Sequence, residues 1–383
     1  MRRARLEALH LRDFRNIARL DLELPPEGIA IVGENGQGKS NLLEAVYYLN
    51  LLRSARGARD QDVVRFGAPG FHVGARVDAD RAREIGVGFA RAGRRKKVVL
   101  DGSEPERLSE ALGALPSVMF SPGDVELVAG APSARRRYLD VMLALSSRTY
   151  LLALQRYRAA LAHRNAALRA ALRAGARGPA VEAKVAIWEP PLAEHGALLW
   201  AERLAWVGTV AERFESLCAA IGEGTAVRLR YQSAVSDGGS AAREALQAAL
   251  GQATAERRGH DLRRGLTHVG PHRDDLAITL AGPEGTHREL RTFGSAGQQR
   301  TAAIVLRMLE AETLRDRGGR EPLFLMDDPF AELDVRRSVR IMELLEADGL
   351  GQSILVVPRE SDIPPGLTRL ERWRIAGGAL QPW

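Results

Sequence analysis

The apolar positions along this chain change their period several times, and each change marks an element. Leu20, Leu22 and Leu24 alternate with Arg19, Asp21 and Glu23, the two-residue period of a half-buried strand. Pro25-Pro26-Glu27-Gly28 makes a turn. Gly28 to Val32 is then a short unbroken apolar run, so residues 6–32 read as strands. A helix-like run follows from Asn41 to Leu52, and Arg53-Ser54-Ala55-Arg56 with Arg59-Asp60 forms a polar loop. Residues 71–101 read as a meander. Within it, Glu84–Ala90 and Lys96–Asp101 flank Arg91-Ala92-Gly93-Arg94-Arg95, a hairpin tip dense in positive charge.

From Pro132 the period becomes helical. Leu154, Tyr157, Leu161, Leu168 and Leu172 keep one face, and Gly175–Pro179 ends the run. Arg135, Arg136, Arg137, Arg148, Arg156, Arg158, Arg164, Arg169, Arg173 and Arg177 surround that face. A second helical stretch, interrupted at Pro190-Pro191, carries Trp200, Leu204, Val207, Phe214 and Leu217 on one side. The pair predicts an antiparallel helical arm with an apolar core. Residues 233–260 are small and polar and read as a loop plus a short helix; strands return from Thr267. No internal repeat is evident. The expected organisation is an α/β head with a β-meander lobe at 1–130, a helical arm at 131–265, and the rest of the head at 266–383.

Composition narrows the class. The 383 residues suit two or three units, and 45 % hydrophobic content can bury a sizeable core. Net charge is +7 and the pI about 9.9, which favours a polyanionic partner. Cys218 is the single cysteine, so no internal disulfide forms and a reducing cytoplasm fits. Met1-Arg2-Arg3-Ala4-Arg5 is basic but lacks the apolar stretch of a signal peptide. No apolar run approaches the roughly 20 residues of a membrane span. Aromatic residues make up only 5 %, which argues against a base-stacking single-strand platform and for reading a duplex through its backbone.

The chemistry concentrates in three motifs. Gly33-Glu34-Asn35-Gly36-Gln37-Gly38-Lys39-Ser40 is a complete G-x-x-x-x-G-K-[ST] phosphate loop, placed between a strand-like and a helix-like run as the motif requires. Its backbone N–H groups, continued by Asn41, would wrap the phosphates of ATP. Lys39 would reach the β/γ oxygens, and Ser40 would ligate Mg²⁺. Lysine occurs only at 39, 96, 97 and 184, so Lys39 stands alone in the first 95 residues, where a compact ammonium is needed rather than a planar fork. Leu323-Phe324-Leu325-Met326-Asp327 is an apolar strand ending in an acid, 288 residues beyond Lys39, a gap that fits a domain inserted in an ATPase head. Asp327 would hold Mg²⁺, and Asp328 would polarise the attacking water. Ala331-Glu332-Leu333-Asp334 follows as a D-loop. Ser295-Ala296-Gly297-Gln298-Gln299 precedes a helix-like run 30 residues before Asp327, the place of an ABC signature. Ser295, Gly297 and Gln298 would meet the γ-phosphate held by a second subunit, so that ATP closes a head-to-head homodimer.

These motifs, with Leu11-Arg12-Asp13-Phe14-Arg15-Asn16, Arg53-Ser54 and Arg56, Phe120–Asp124, Arg136–Asp140, Arg164-Asn165, Gly270–Asp275 and Gly297–Arg300, resemble the RecF family of the ABC/SMC ATPases over nearly the whole chain. The resemblance implies a weak ATPase used as a switch, binding DNA at single-strand/double-strand junctions. It also implies action with RecR and RecO to place RecA on gapped DNA in repair and SOS induction. The chain departs from the pattern after its acidic strand. Ile354–Arg359 carries no sensor His or Thr, leaving Arg359 as the substitute, and Ser117–Asp124 stands in for a Q-loop. Arg94-Arg95-Lys96-Lys97 reads either as a solvated tip or as a sequence-independent phosphate contact. His272 and Asp274-Asp275 read as a structural or interface loop rather than a metal site, and His10, His163 and His195 as satisfied or solvated.

Three other functions fit less well. An SMC-type tether needs hundreds of heptad residues. A transporter ATPase is opposed by the inserted arm and the missing coupling loop. A phage-defence nuclease ATPase would need an added acidic domain, and the chain reaches Trp383 without one.

Overall fold

The computed structural model describes residues 2–3, 5–79, 81–235, 242–282, 285–331, 333–347 and 349–383. In chain order the principal elements begin with β1 (Arg5–Phe14), β2 (Ile17–Glu23), β3 (Gly28–Val32), α1 (Lys39–Leu51), β4 (Gly70–Ala79), β5 (Arg81–Ala90), β6 (Arg95–Leu100) and β7 (Ser117–Phe120). The middle comprises α2 (Pro132–Ser146), α3 (Arg148–Ala174), α4 (Pro179–Ala186), α5 (Glu189–Ile221), β8 (Val227–Gln232), α6 (Arg243–Arg264), β9 (Asp275–Ala281) and β10 (His287–Glu289). The last part holds α7 (Ala296–Gly318), β11 (Leu323–Asp327), α8 (Val335–Ala347), β12 (Ser353–Val357), β13 (Glu371–Ala376) and β14 (Ala379–Pro382). They form two compact units, one of Met1–Asp124 with Ile304–Trp383, the other of Val125–Ala303.

The first unit holds two sheets. One has strand order β14-β13-β3-β12-β11-β7, parallel except for β14. Its inner strands are apolar on both faces: every residue of β3 and β12 is buried, as sheets covered on both sides require. The other is an antiparallel meander, β2-β1-β4-β5-β6, with the alternating burial read from Leu20, Leu22 and Leu24. Phe14, Tyr48 and Phe71 meet edge to face in the core beside α1. Eleven of the thirteen residues of α1 are buried, so this helix is enclosed rather than amphipathic.

The second unit packs long helices against a small antiparallel sheet, β10-β9-β8. Ser147 caps α3 through its hydroxyl, which accepts from the Tyr150 N–H at 3.2 Å, and Gly175 ends the helix in the left-handed region. Pro190-Pro191 does not interrupt a helix. These prolines occupy the first turn of α5, where their missing N–H groups have no intrahelical role, and α5 runs on for 33 residues. The polar stretch expected to give a short helix forms the 22-residue α6, anchored by buried Leu246 and Leu250; residues 236–241 lie outside the described residues. The units divide at 124/125 and 303/304, against the expected 130/131 and 265/266; because β9 pairs with β8, the strands after 265 stay with the helices of the second unit as far as residue 303.

Candidate nucleotide site and its relatives

Open parallel sheets place ligands at the carboxyl ends of their strands. Here β3 runs into the phosphate loop, β12 ends at Val357 just before Pro358, and β11 ends at Asp327. They enclose a cavity of about 360 Å³ lined by Asn35, Gly36, Gly38–Asn41, Arg56, Pro122, Asp327, Asp328 and Pro358. The phosphate loop and the acidic end of the apolar strand, 288 residues apart from Lys39 to Asp327, thus meet.

The loop is shaped by its glycines and pinned from outside. Gly38 has φ +104°, and a Cβ there would come within 2.7 Å of the Asn16 side chain. Asn16 Oδ1 in turn accepts from Asn41 Nδ2 at 2.9 Å. The Gln37 side chain points away from the cavity's chemistry: its Oε1 accepts from Gly377 N–H at 2.6 Å, and its carbonyl from Gly378 N–H at 3.1 Å. The β13–β14 turn therefore braces the loop from behind.

Lys39 donates to the carbonyl oxygens of Gly33 and of Glu34, the latter at 2.8 Å. Burial pushes its pKa down, against the pull of Asp327, Asp328 and Glu34. Ser40 Oγ donates to Asp327 Oδ1 at 2.9 Å. Burial pushes the Asp327 pKa up, and the Ser40 hydrogen bond, Arg56 and Lys39 only partly offset it. A buried amine answered by carbonyls and a half-buried acid answered by a hydroxyl are both under-compensated. The donor set fits a polyphosphate at Lys39 and a hard cation between Ser40 and Asp327. Asp328 also lines the cavity and sits at φ +45°, an unusual backbone for a residue with a side chain.

Glu44 was missed in the sequence because it reads as one more polar helix residue. It is fully buried. Arg15 donates to it through Nε and Nη2 at 3.1 and 3.0 Å, Ser54 Oγ at 2.5 Å, and Arg56 Nη1 lies 3.8 Å away. Its position one helical turn after Ser40 was the available signal. Through it, the Ser54–Arg56 loop and the Arg15-Asn16 turn are tied to the phosphate-loop helix, while Arg56 Nη1 also donates to Asn41 Oδ1 at 3.3 Å, which holds it at the cavity wall.

Other expectations need correction. Arg359 does not line this cavity; its guanidinium pairs with Asp362 at 3.1 Å. Lys96 is not a free cation of the hairpin tip. It turns inward over the Tyr48 ring and donates to the Leu52 carbonyl and to Asp60 at 3.1 Å, while Lys97 pairs with Glu104. Asp124 of the Q-loop candidate is tied to Arg307 at 2.7 Å, and only Pro122 of that segment reaches the cavity. Among the D-loop residues, Asp334 accepts from the Arg337 N–H at the start of α8; Glu332 lies outside the described residues.

In the second unit, Ser295 and Gln298 form a reciprocal cap on α7. Ser295 Oγ accepts from the Gln298 N–H at 3.2 Å, and Gln298 Oε1 from the Ser295 N–H at 3.0 Å. Gly297 lies in that first turn, and Gln299 ties it back to the Leu290 and Arg291 carbonyls. The Gly270–Asp275 block is a latch. Asp274 accepts from Trp200 and Tyr231, Asp275 forms a two-bond pair with Arg135, and His272 meets the Tyr157 hydroxyl at 2.7 Å. Burial takes the His272 pKa down to about 4. The arm arginines divide. Arg164 is fully enclosed against Asp261 and Glu189, while Arg148, Arg156, Arg169, Arg173 and Arg177 are exposed and form no ion pair or side-chain hydrogen bond among the described residues.

The family model of the RecF/RecN/SMC N-terminal domain matches residues 5–363. A DNA replication and repair protein RecF of Chloroflexus aggregans is 38 % identical over 396 residues, covering 97 % of this chain and 98 % of its own. The chain belongs to the RecF family. The RecF of Salinibacter ruber is 34 % identical over 365 residues, covering 94 % of this chain and 87 % of its own. A solved structure of the recombination mediator RecF with ATP, of the RecFOR pathway, superposes with a TM-score of 0.88 at 28 % identity, covering 100 % of this chain and 98 % of that one. The Smc head domain of Pyrococcus furiosus shares the fold alone, with a TM-score of 0.57 at 18 % identity. Among the described residues no helix is long and apolar enough to cross a membrane.

Proposed function

We propose that this chain is an ATP-driven DNA-binding switch of recombinational repair, a weak ATPase acting in the cytoplasm. One observation carries the reading: Asp327, 287 residues beyond Ser40, converges with Lys39 and Ser40 on one cavity with under-compensated charges. In the proposal Gly33–Asn41 receive the phosphates of ATP, and Arg56 adds a second cation. Ser40 and Asp327 hold Mg²⁺, which would neutralise phosphate charge when bound. Asp328 orients and polarises the attacking water. One methylene shorter than Glu, it suits slow turnover and a long-lived bound state.

Ser295, Gly297 and Gln298 cap a helix whose N-terminus can receive a phosphate. In the proposal they do so for the partner's ATP, closing a head-to-head homodimer. DNA is then bound through its backbone, with preference for duplex and gapped junctions, and with RecR and RecO as partners in placing RecA, as the shared family suggests. Sedimentation with and without ATP tests the switch. The parent should dimerise on ATP and Lys39→Ala should not. Ser295→Arg should still bind ATP yet stay monomeric, because a long cation would fill the partner's phosphate space. ATP-dependent dimers of either variant would defeat the reading.

A further inference from the structure

Phe66 is 98 % exposed, the most exposed large apolar side chain among the described residues. A scattered surface apolar residue needs no explanation by itself. This one is presented by a braced turn. The Arg65 carbonyl accepts from the Ala68 N–H at 3.0 Å, with Phe66 and Gly67 at the apex and Gly67 at φ +80°, the second-corner conformation of a type II turn. On one side Arg65 is bound to Asp13 twice, N–H to carbonyl at 2.7 Å and Nε to Oδ1 at 2.6 Å. On the other, the Pro69 carbonyl accepts from the Arg91 N–H at 2.8 Å, which joins the turn to the β5–β6 hairpin tip.

That tip carries Arg91, Arg94 and Arg95, all exposed and none with a side-chain hydrogen bond or ion pair among the described residues. Lys96 is committed inward and Lys97 to Glu104, so these three are the tip's uncompensated charges. An aromatic ring held out from a fixed turn, next to unpaired guanidinium groups, matches nucleic acid better than an apolar protein surface. Phosphates answer the cations, and the ring is left with bases to stack on. Within a continuous duplex the base faces are already stacked. A single ring can take only a base freed at an end or a step.

We infer that Phe66 is a wedge that stacks on the terminal base at a single-strand/double-strand junction of DNA, with Arg91, Arg94 and Arg95 on the neighbouring phosphates. The inference rests on the DNA-binding reading above, and supplies it with a residue that distinguishes a junction from plain duplex.

The test compares the affinity of the full chain, with ATP, for a gapped duplex and for an uninterrupted duplex of equal length, in the parent, Phe66→Ala and Phe66→Trp. Exposure of the ring makes both variants silent for folding, which a matching melting temperature checks. Phe66→Ala should lower the junction-to-duplex affinity ratio roughly fivefold or more, and leave duplex affinity and its salt slope unchanged. Phe66→Trp should preserve the ratio. A 2-aminopurine at the terminal base should change its fluorescence on binding the parent and not on binding Phe66→Ala. An unchanged ratio in Phe66→Ala, equal loss on both DNAs, or loss in Phe66→Trp as well would overturn the wedge. A parent that binds both DNAs equally would overturn the wedge alone. A parent that binds neither would overturn the DNA reading with it.

Discussion

Glu44→Gln isolates the role of the one buried carboxylate behind the phosphate loop. The substitution keeps the volume and one acceptor oxygen, but sets an NH₂ group against the guanidinium and hydroxyl donors now served by two oxygens. Removing one partner of a fully buried pair costs about 3–5 kcal/mol. The full figure does not apply here, because the Arg15 and Arg56 side chains are 21 % and 45 % exposed and can recover water. Discounting for that screening leaves roughly 2 kcal/mol. A unit of this size responds by about 2–4 °C per kcal/mol, so the melting temperature should fall by about 4–8 °C. The second consequence is functional: Arg56 keeps its 3.3 Å bond to Asn41 Oδ1 but loses the Glu44 charge 3.8 Å away, so ATP affinity should weaken by more than the change in stability predicts. Scanning calorimetry without nucleotide gives the first number, and titration calorimetry with ATP under folding conditions gives the second. A variant that melts with the parent and binds ATP equally would show that Glu44 neither supports the first unit nor positions Arg56.

Asp327→Ala should weaken both tight nucleotide binding and turnover, whereas Asp328→Asn should keep ATP and prolong the dimer while single-turnover hydrolysis falls about 10²–10⁴-fold; parental hydrolysis in Asp328→Asn would assign the base elsewhere. Replacing Arg91, Arg94 and Arg95 together by Ala should flatten the dependence of duplex affinity on salt by about 2–3 in log–log slope; an unchanged slope would move the DNA path to Arg148, Arg156, Arg169, Arg173 and Arg177.

What was legible in the sequence follows from how local each signal is. The phosphate loop, its flanking strand and helix, and the apolar strand ending at Asp327 are written in consecutive residues, and the fold joins them as their chemistry requires. Elements fixed by distant partners were not legible. The α6 helix carries few apolar residues and is held by Leu246 and Leu250 packing with Ala193, Ala197 and Trp200. Pro190-Pro191 has the same letters whether it breaks a helix or starts one. Charge was the least readable property. Lys96, Arg135 and Arg164 look like surface cations in a basic chain, yet each is spent on a carboxylate tens of residues away. Of the free cations, Arg95 neighbours Lys96 on β6 and differs from it in the face it takes, while Arg91 and Arg94 lie in the turn before that strand.

The central claim, that ATP gates DNA binding, is tested most directly by one equilibrium measurement: the affinity of the chain for a gapped duplex, by anisotropy at fixed salt, with and without ATP. The account predicts tight binding only with ATP, and none of that gain in Lys39→Ala. Equal affinity in both conditions, or an ATP-dependent gain that survives Lys39→Ala, would contradict it.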